Sequence, residues 1–349
     1  MTTAVAVSGG MDSLLALALM KERGHDVLAL HGRFLPGGGG KDAAAGLNAA
    51  CARLDVPFHV VDLRPQFERE VVAPFADAYR RGLTPNPCAV CNPRMKFGAL
   101  FDAARALGAE SLATGHYAQL VVTRDGPLLA RGADPAKDQS YFLSLVGVGA
   151  LRRACFPLGA LFKRDVPARL AGFGLTPSLP GESQEICFVP GDDYQAFLAR
   201  RGSMPGGGPI LLEDDSVIGR HRGLWRHTQG QRRGLGIAWT EPLYVLHKRL
   251  ADNALIVGPK TSLLVSGCVA GRVNLMTDPA GWPEEVMVQT RYRQRPRPAR
   301  FAFRGDHLVI RFREPHERPA PGQVAAVYDQ QGAVLGGGVI ERSLERDGE

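Results

Sequence analysis

Short apolar, β-branched runs alternate through the first part of the chain with segments whose apolar positions recur at helical spacing, and this alternation predicts the elements. Ala4-Val5-Ala6-Val7 reads as a strand that breaks at Ser8-Gly9-Gly10. Met11-Asp12-Ser13 then opens a helix carrying Leu14, Leu15, Ala18 and Leu19, closed by Gly24. Asp26–His31 and Pro57–Leu63 read as further strands, Asp42–Leu54 as a helix, and Pro36–Gly40 as a flexible break. Strands alternating with helices predict a doubly wound parallel sheet, where ligands gather at the carboxyl ends of the strands. A helix over Ala99–Leu107, a strand from Ser111 running into Gly115-His116-Tyr117, and a helix over Asp193–Arg200 continue the pattern.

Gly202–Pro209, rich in glycine and proline, is the clearest linker. Beyond it the pattern changes to short strands: Pro209–Leu212, Tyr244–His247, Ala254–Val257, Val286–Tyr292, His307–Phe312, Gln323–Tyr328 and Ala333–Ile340. Such spacing predicts β-rich modules, the last a small barrel. The expected domains are 1–202, 203–267 and 268–345.

The first loop carries the earliest chemistry. Gly9 and Gly10 let the backbone approach a bound group with its N–H donors turned inward, and the helix that follows adds the positive end of its dipole. That is an anion cradle. No Gly-Lys-Ser/Thr follows the glycines, so it is not the Walker loop. A plain strand-to-helix turn capped by Asp12 or Ser13 is the competing reading.

Three prolines in Pro85-Asn86-Pro87-Cys88-Ala89-Val90-Cys91-Asn92-Pro93 preclude a regular element and predict two cysteines displayed on a stiff loop. A metal or Fe–S site, a redox dithiol, a nucleophile with a helper and two incidental cysteines all fit that spacing. His116 reads equally as a satisfied strand-end histidine and as a functional one. Lys137-Asp138-Gln139, ahead of an aromatic run, is compatible with a solvated helix start. Cys187, between Ile186 and Phe188, would on its neighbours alone be a buried small hydrophobe.

Composition narrows the picture. At 349 residues and 45% hydrophobic, the chain can bury a sizeable core. No apolar segment is long enough to span a bilayer, and no basic leader precedes the first strand, so a cytoplasmic protein without membrane attachment is expected. Six cysteines are too sparse for a secreted disulfide scaffold. The net charge of +7 is unevenly spread. Basic residues cluster in 220–233 and 291–300 with Trp225, Tyr292 and Phe301 interleaved, which suits a polyanion.

Ser8-Gly9-Gly10-Met11-Asp12-Ser13 resembles the pyrophosphatase loop of enzymes that cleave ATP between the α- and β-phosphates. Together with Thr84-Pro85-Asn86-Pro87, Cys91-Asn92, Ala113–Tyr117, Lys137-Asp138-Gln139, Ile186-Cys187-Phe188, Gly230–Gly236, Arg291-Tyr292-Arg293, Pro321-Gly322-Gln323 and Leu335–Val339, it resembles the MnmA-type tRNA-specific 2-thiouridylases nearly end to end.

The resemblance implies a Rossmann-like domain of the adenine nucleotide α-hydrolase type. It implies adenylation of the C2 oxygen of a wobble uridine in tRNA, followed by displacement of AMP by persulfide sulfur. ATP with Mg²⁺, tRNA and a persulfide donor protein are the implied cofactors and partners, and the chain is expected to be a monomer when free. Ala6, Val7, Ser8, Gly9, Gly10, Met11, Asp12, Ser13, Gly32 and Gly115 fall on the ATP site by match. His116, Lys137, Asp138, Gln139, Arg291, Tyr292 and Gln323 fall on tRNA contacts. Cys91 takes the nucleophile position and Cys187 that of the persulfide-bearing cysteine.

Two departures stand out. Cys88 occupies a position where many members carry an aspartate. A thiol is no equal substitute for a carboxylate base, its ordinary pKa being about four units higher. Cys88, Cys91 and Cys187 together would supply three thiolates to a [4Fe–4S] cluster, and that reading is favoured over one nucleophile with two bystanders. Gly32 falls where the family has a methionine beside the nucleotide. Two other functions compete. One is a pyrophosphatase-loop ligase acting on a small acid or amide, which would leave the cysteines without a job. The other is an RNA-binding protein with a decayed catalytic loop, against which intact Ser8, Asp12 and Ser13 argue.

Overall fold

Side-chain alternation along the N-terminal strands builds two apolar layers. Ala4, Leu28 and Leu30 join one buried cluster, while Val5, Val27 and Ala29 join the other. The computed structural model describes residues 1–35, 40–124, 126–179 and 186–346. The expected break at Pro36–Gly40, except Gly40, and residues Glu182–Glu185 lie outside the described residues.

The strands are β1 (Thr2–Ala6), β2 (Asp26–Arg33), β3 (Phe58–Asp62), β4 (Ser111–Ala113), the hairpin β5 (Ala118–Thr123) and β6 (Gly126–Arg131), and β7 (Ala154–Cys155). A parallel sheet runs in the order β3-β2-β1-β4-β7. The chain builds outward from β1 in both directions, so the end of β1 is the topological switch point at which such sheets bind ligands. Helix α1 (Met11–Glu22) follows β1 directly. It is buried from Ser13 to Met20 on every face, as a helix sandwiched inside a domain must be. Gly24, at φ +76°, closes it.

The central module is a sheet of β8 (Gly208–Leu211), β9 (Val217–His221), β10 (Tyr244–Arg249) and β11 (Ala254–Gly258), in the order β10-β11-β8-β9. The C-terminal part is a closed barrel, β12-β15-β14-β13-β16-β17, of β12 (Leu264–Leu275), β13 (Val286–Gln289), β14 (Arg297–Arg304), β15 (His307–Glu317), β16 (Val324–Tyr328) and β17 (Val334–Leu344). The α/β sheet, β-rich centre and small barrel expected from the pattern are all present. β5, β6, β7, β9, β12 and β14 had no counterpart among the expected strands, and β12 crosses the expected division at 267/268.

Two local expectations fail. Pro87-Cys88-Ala89-Val90-Cys91 is a helical turn, not an irregular loop, and a π-helical segment, Asn92–Leu100, continues it. Pro87 sits at the first helical position, where no N–H is needed. Pro93 falls at the start of the π segment, whose altered bonding tolerates it. The strand expected over Val286–Tyr292 ends at Gln289, and Arg291–Arg293 form a turn with Arg293 at φ +63°.

The barrel is locked onto the N-terminal domain by polar groups. The Tyr141 hydroxyl donates to the Val324 carbonyl at 3.1 Å, and Arg131 donates to Gln289 Oε1 at 2.8 Å while lying 4.1 Å over the Tyr328 ring. Asn274 Nδ2 donates to the carbonyls of Ser144 and Val146. Among the described residues no helix is long and apolar enough to cross a membrane.

Candidate active site

Ala6 ends β1, and Val7, buried, still bonds β2 through its N–H to the Leu30 carbonyl at 3.0 Å. His31 Nδ1 meets the Val7 carbonyl at 2.8 Å and pins the last turn before the loop. Gly9 then takes φ +90°, a conformation costly for any other residue. Ser8 N–H donates to Ser13 Oγ at 3.0 Å, and Ser13 Oγ–H donates to the Gly10 carbonyl at 2.9 Å. The helix cap residue is Gly10, with no side-chain cap bond. The competing reading of a turn capped by Asp12 or Ser13 therefore fails, and the first-turn N–H groups of α1 face the loop uncapped.

Asp12 is held from elsewhere. Lys163 Nζ lies 2.6 and 2.7 Å from its two carboxylate oxygens, and the Tyr117 hydroxyl donates to Oδ1 at 2.6 Å. The pair is partly buried, with side-chain exposures of 19% for Lys163 and 29% for Asp12. Asp134 Oδ2 accepts the Lys163 backbone N–H at 2.9 Å and sets the turn that delivers the lysine. Sequence reading missed Lys163, since nothing local marks a lysine 151 residues beyond its partner.

Gly115 lies against the same loop. A Cβ there would sit 2.9 Å from the Asp12 carbonyl carbon and 3.1 Å from Ser13 N, so only glycine lets the strand end approach so closely. Gly32 is set apart by a different contact: a Cβ would meet the Phe34 ring and Leu100 at 3.1 Å. Phe34, stacked on Phe67 at 5.3 Å, fills the space beside Gly32.

His116, next after Gly115, leads to the cysteines through Lys96, whose charge acts on all three thiols. Asn86 Oδ1 accepts the Ala89 N–H at 3.1 Å and caps the turn carrying Cys88 and Cys91. Gln323 of the barrel donates from Nε2 to the Thr84 carbonyl at 2.9 Å, and the Thr84 N–H donates to the Pro321 carbonyl at 2.8 Å, so the barrel braces this segment. Cys187 is exposed, contrary to the buried reading of its sequence. Phe188 and Val189 take the core position instead, Phe188 packing edge-on against Phe67 and Phe75, and the cysteine just before them turns outward.

Burial pushes Cys91 up to about 12, with Cys187 and Cys88 adding to the rise and Lys96 opposing it. Surrounding protein likewise raises Cys187 to about 11, Cys88 adding and Lys96 opposing. Cys88 is raised by burial against the pull of Lys96. The three thiols thus share one electrostatic neighbourhood. Even so, among the described residues no three His, Cys, Asp or Glu side chains are grouped so as to hold a metal ion. The three-thiolate ligand set expected for an Fe–S cluster is not formed: Cys88 and Cys91 are turned by a helix while Cys187 stands on a separate exposed segment.

The residues matched to tRNA contacts divide. His116 is buried, with Nδ1 2.6 Å from Thr114 Oγ1 and Nε2 2.9 Å from Lys96 Nζ. Asp138 is no solvated helix start but a buried carboxylate. It accepts from Arg131 Nη1, the Gly132 and Ser140 N–H groups and the Ser140 hydroxyl. Gln139 Oε1 accepts the Tyr117 N–H at 3.0 Å, and Lys137 is half-buried. Arg291 is exposed, and Tyr292 packs on Phe142 at 4.3 Å. Arg291 shares a cleft of roughly 420 Å³ with Arg226, Gln231, Arg233 and Tyr194, which brings the two basic clusters of the sequence to one place.

Residues 1–191 match the tRNA methyl transferase HUP domain family, 195–259 the tRNA methyl transferase PRC-barrel domain and 265–340 the aminomethyltransferase beta-barrel domain. The tRNA-specific 2-thiouridylase MnmA of Nitratidesulfovibrio vulgaris strain Miyazaki F is 57% identical over 97% of this chain and 99% of that protein. That of Lawsonia intracellularis is 46% identical over 99% of this chain and 100% of its own length. Among solved structures, the U34-tRNA thiolase NcsA from Methanococcus maripaludis with its [4Fe-4S] cluster overlaps 57% of this chain and 64% of that one, at 14% identity and a TM-score of 0.37.

Proposed function

The chain belongs to the MnmA-type tRNA-specific 2-thiouridylases, and from that premise we propose that it replaces the C2 oxygen of the wobble uridine of tRNA with sulfur, cleaving ATP to AMP and pyrophosphate. The observation that carries the reading is the position of Thr114-Gly115-His116. Gly115 abuts the anion cradle, while His116 reaches the lysine beside the cysteines, so one strand end joins a nucleotide loop to a sulfur site.

In the first step the uridine O2 attacks the α-phosphorus and the bond to pyrophosphate breaks. The uncapped N–H groups of α1 and the loop bind phosphate oxygens, and Lys163 supplies from a distant turn the cation that a Walker loop carries within itself. Asp12 keeps that lysine aimed at the cradle. Mg²⁺ would neutralise charge on the departing pyrophosphate. Asp12, the carboxylate of the loop, would stand beside an ion that arrives on the phosphates.

In the second step the outer sulfur of a persulfide on Cys187 bonds to C2, and the C2–O2 bond breaks as AMP leaves with the oxygen. The Cys91 thiolate takes the inner sulfur, the persulfide S–S bond giving its electron pair to the transferred sulfur. The resulting Cys91–Cys187 disulfide is reopened by a dithiol reductant. The route uses two cysteines, Cys91 and Cys187, and draws on no metal centre. A persulfide donor protein would reach Cys187 on its exposed segment. Arg291, which lines the cleft, and Arg293, two residues on, are the proposed phosphate contacts, with the chain a monomer when free. Exchange of labelled pyrophosphate into ATP tests the reading: it should require tRNA, and exchange that proceeds equally without tRNA would refute it.

A further inference from the structure

Lys96 is the cation that acts on all three thiols of the sulfur site, and two features of the fold put it there. The first is the π-helical segment Asn92–Leu100 directly after Cys91. In an α-helix, five residues carry a side chain about 140° around the axis, to a different face. Bonding from i to i+5 instead stacks residue 96 near residue 91. The second is the partner of Lys96. Its Nζ lies 2.9 Å from His116 Nε2, and His116 Nδ1 lies 2.6 Å from Thr114 Oγ1. His116 is enclosed by Phe97 and Phe156, and burial together with Lys96 keeps its pKa well below the usual value, so the ring is neutral. An ammonium can only donate. Nε2 therefore accepts, the ring proton sits on Nδ1, and Thr114 takes it.

A neutral histidine fixes the lysine without cancelling its charge, as a carboxylate partner would. Cys88, on which Lys96 also acts, is a thiol and brings no carboxylate to this cation. Sulfur is anionic when it attacks, and the half-buried, apolar setting of Cys91 opposes that charge. We propose that Lys96, aimed by the neutral His116–Thr114 pair, is the positioning cation of the sulfur-transfer step, stabilising the anionic sulfur of Cys91 and Cys187. This rests on the thiolation reading above and gives His116 the task of holding Lys96.

The test uses the full chain and the variants Lys96→Gln, Lys96→Arg and Thr114→Val, with two readouts. One is the rate at which iodoacetamide alkylates Cys91 and Cys187 at neutral pH, mapped by peptide mass spectrometry. The other is thiolation compared with tRNA-dependent pyrophosphate exchange. Removing a cation worth about one pKa unit cuts the thiolate fraction about tenfold while making the thiolate a better nucleophile, so alkylation of Cys91 should slow roughly three- to fourfold in Lys96→Gln. Thiolation should fall more than exchange does, Lys96→Arg should recover most of the loss, and Thr114→Val should lose part of it. Unchanged alkylation in Lys96→Gln would overturn the proposal, as would a parallel fall of thiolation and exchange that arginine does not rescue. Absence of tRNA-dependent exchange in the wild type would instead defeat the functional reading, while the alkylation comparison would still decide the place of Lys96.

Discussion

Replacing Lys163 with methionine tests the nucleotide site most sharply, because it keeps the aliphatic stem and removes only the charge. Lys163 touches both oxygens of Asp12, at 2.6 and 2.7 Å, with 19% and 29% of the two side chains exposed. Fully exposed pairs contribute about 0.2–1 kcal/mol, and breaking a fully buried one costs about 3–5 kcal/mol. The observed exposures place this pair between those limits, so Lys163→Met should destabilise the fold by about 1–2 kcal/mol, the Tyr117 hydroxyl still serving Asp12. In a chain of this size that lowers Tm by only a few degrees, at about 2–4 °C per kcal/mol or less. The effect on adenylation should be far larger, about 10²–10³-fold, the usual loss when a preorganised charge is removed from a developing anion. The assay is tRNA-dependent pyrophosphate exchange on protein whose melting curve and tRNA affinity are measured in parallel. Exchange at a near wild-type rate in Lys163→Met would refute the role given to this residue and leave its pairing with Asp12 as scaffolding.

Asp12→Ala and Ser13→Ala should abolish adenylation in the exchange assay while leaving tRNA binding by filter retention nearly intact. Cys187→Ser should still form AMP in the presence of tRNA but transfer no sulfur, read by chromatography of labelled nucleotide beside nucleoside analysis. An Arg291→Ala/Arg293→Ala double variant should flatten the dependence of log affinity on log salt by roughly two units, and an unchanged slope would return the turn to ordinary surface. His227 is held down to about 4 from an ordinary 6.5, by burial first and then by His221, Lys248 and Arg226. A histidine kept neutral in the fold contributes stability that is complete above its unfolded pKa of 6.5 and is lost as the pH falls through the window to about 4. Urea unfolding should show stability falling by up to ~1.4 kcal/mol per pH unit across that window, less steeply in His227→Gln.

How much of this was legible in the sequence depends on the range of each contact. The strand, glycine loop and α1 could be read because alternation, turn chemistry and helical spacing agree within two dozen residues. The contacts of Lys163, Gln323 and Lys96 could not, because their partners Asp12, Thr84 and His116 are reached only after the chain has folded. The proline count misled at Pro87 and Pro93, where proline opens a helix or is tolerated by π bonding and does not forbid a regular element. Cys187 misled in the opposite sense: hydrophobic neighbours anchor a segment, and they can do so by turning the residue beside them to the surface. Asp138 looked solvated because composition cannot show that Arg131, Gly132 and Ser140 will surround it.

The central claim is tested most directly by supplying the purified protein with unmodified tRNA, ATP, Mg²⁺ and a persulfide donor, then digesting the tRNA and identifying its nucleosides by mass spectrometry. One uridine per substrate tRNA, at the wobble position, should exchange its C2 oxygen for sulfur, with one AMP formed per sulfur transferred. Sulfur at another position, or ATP cleaved to ADP with the tRNA unchanged, would contradict the account.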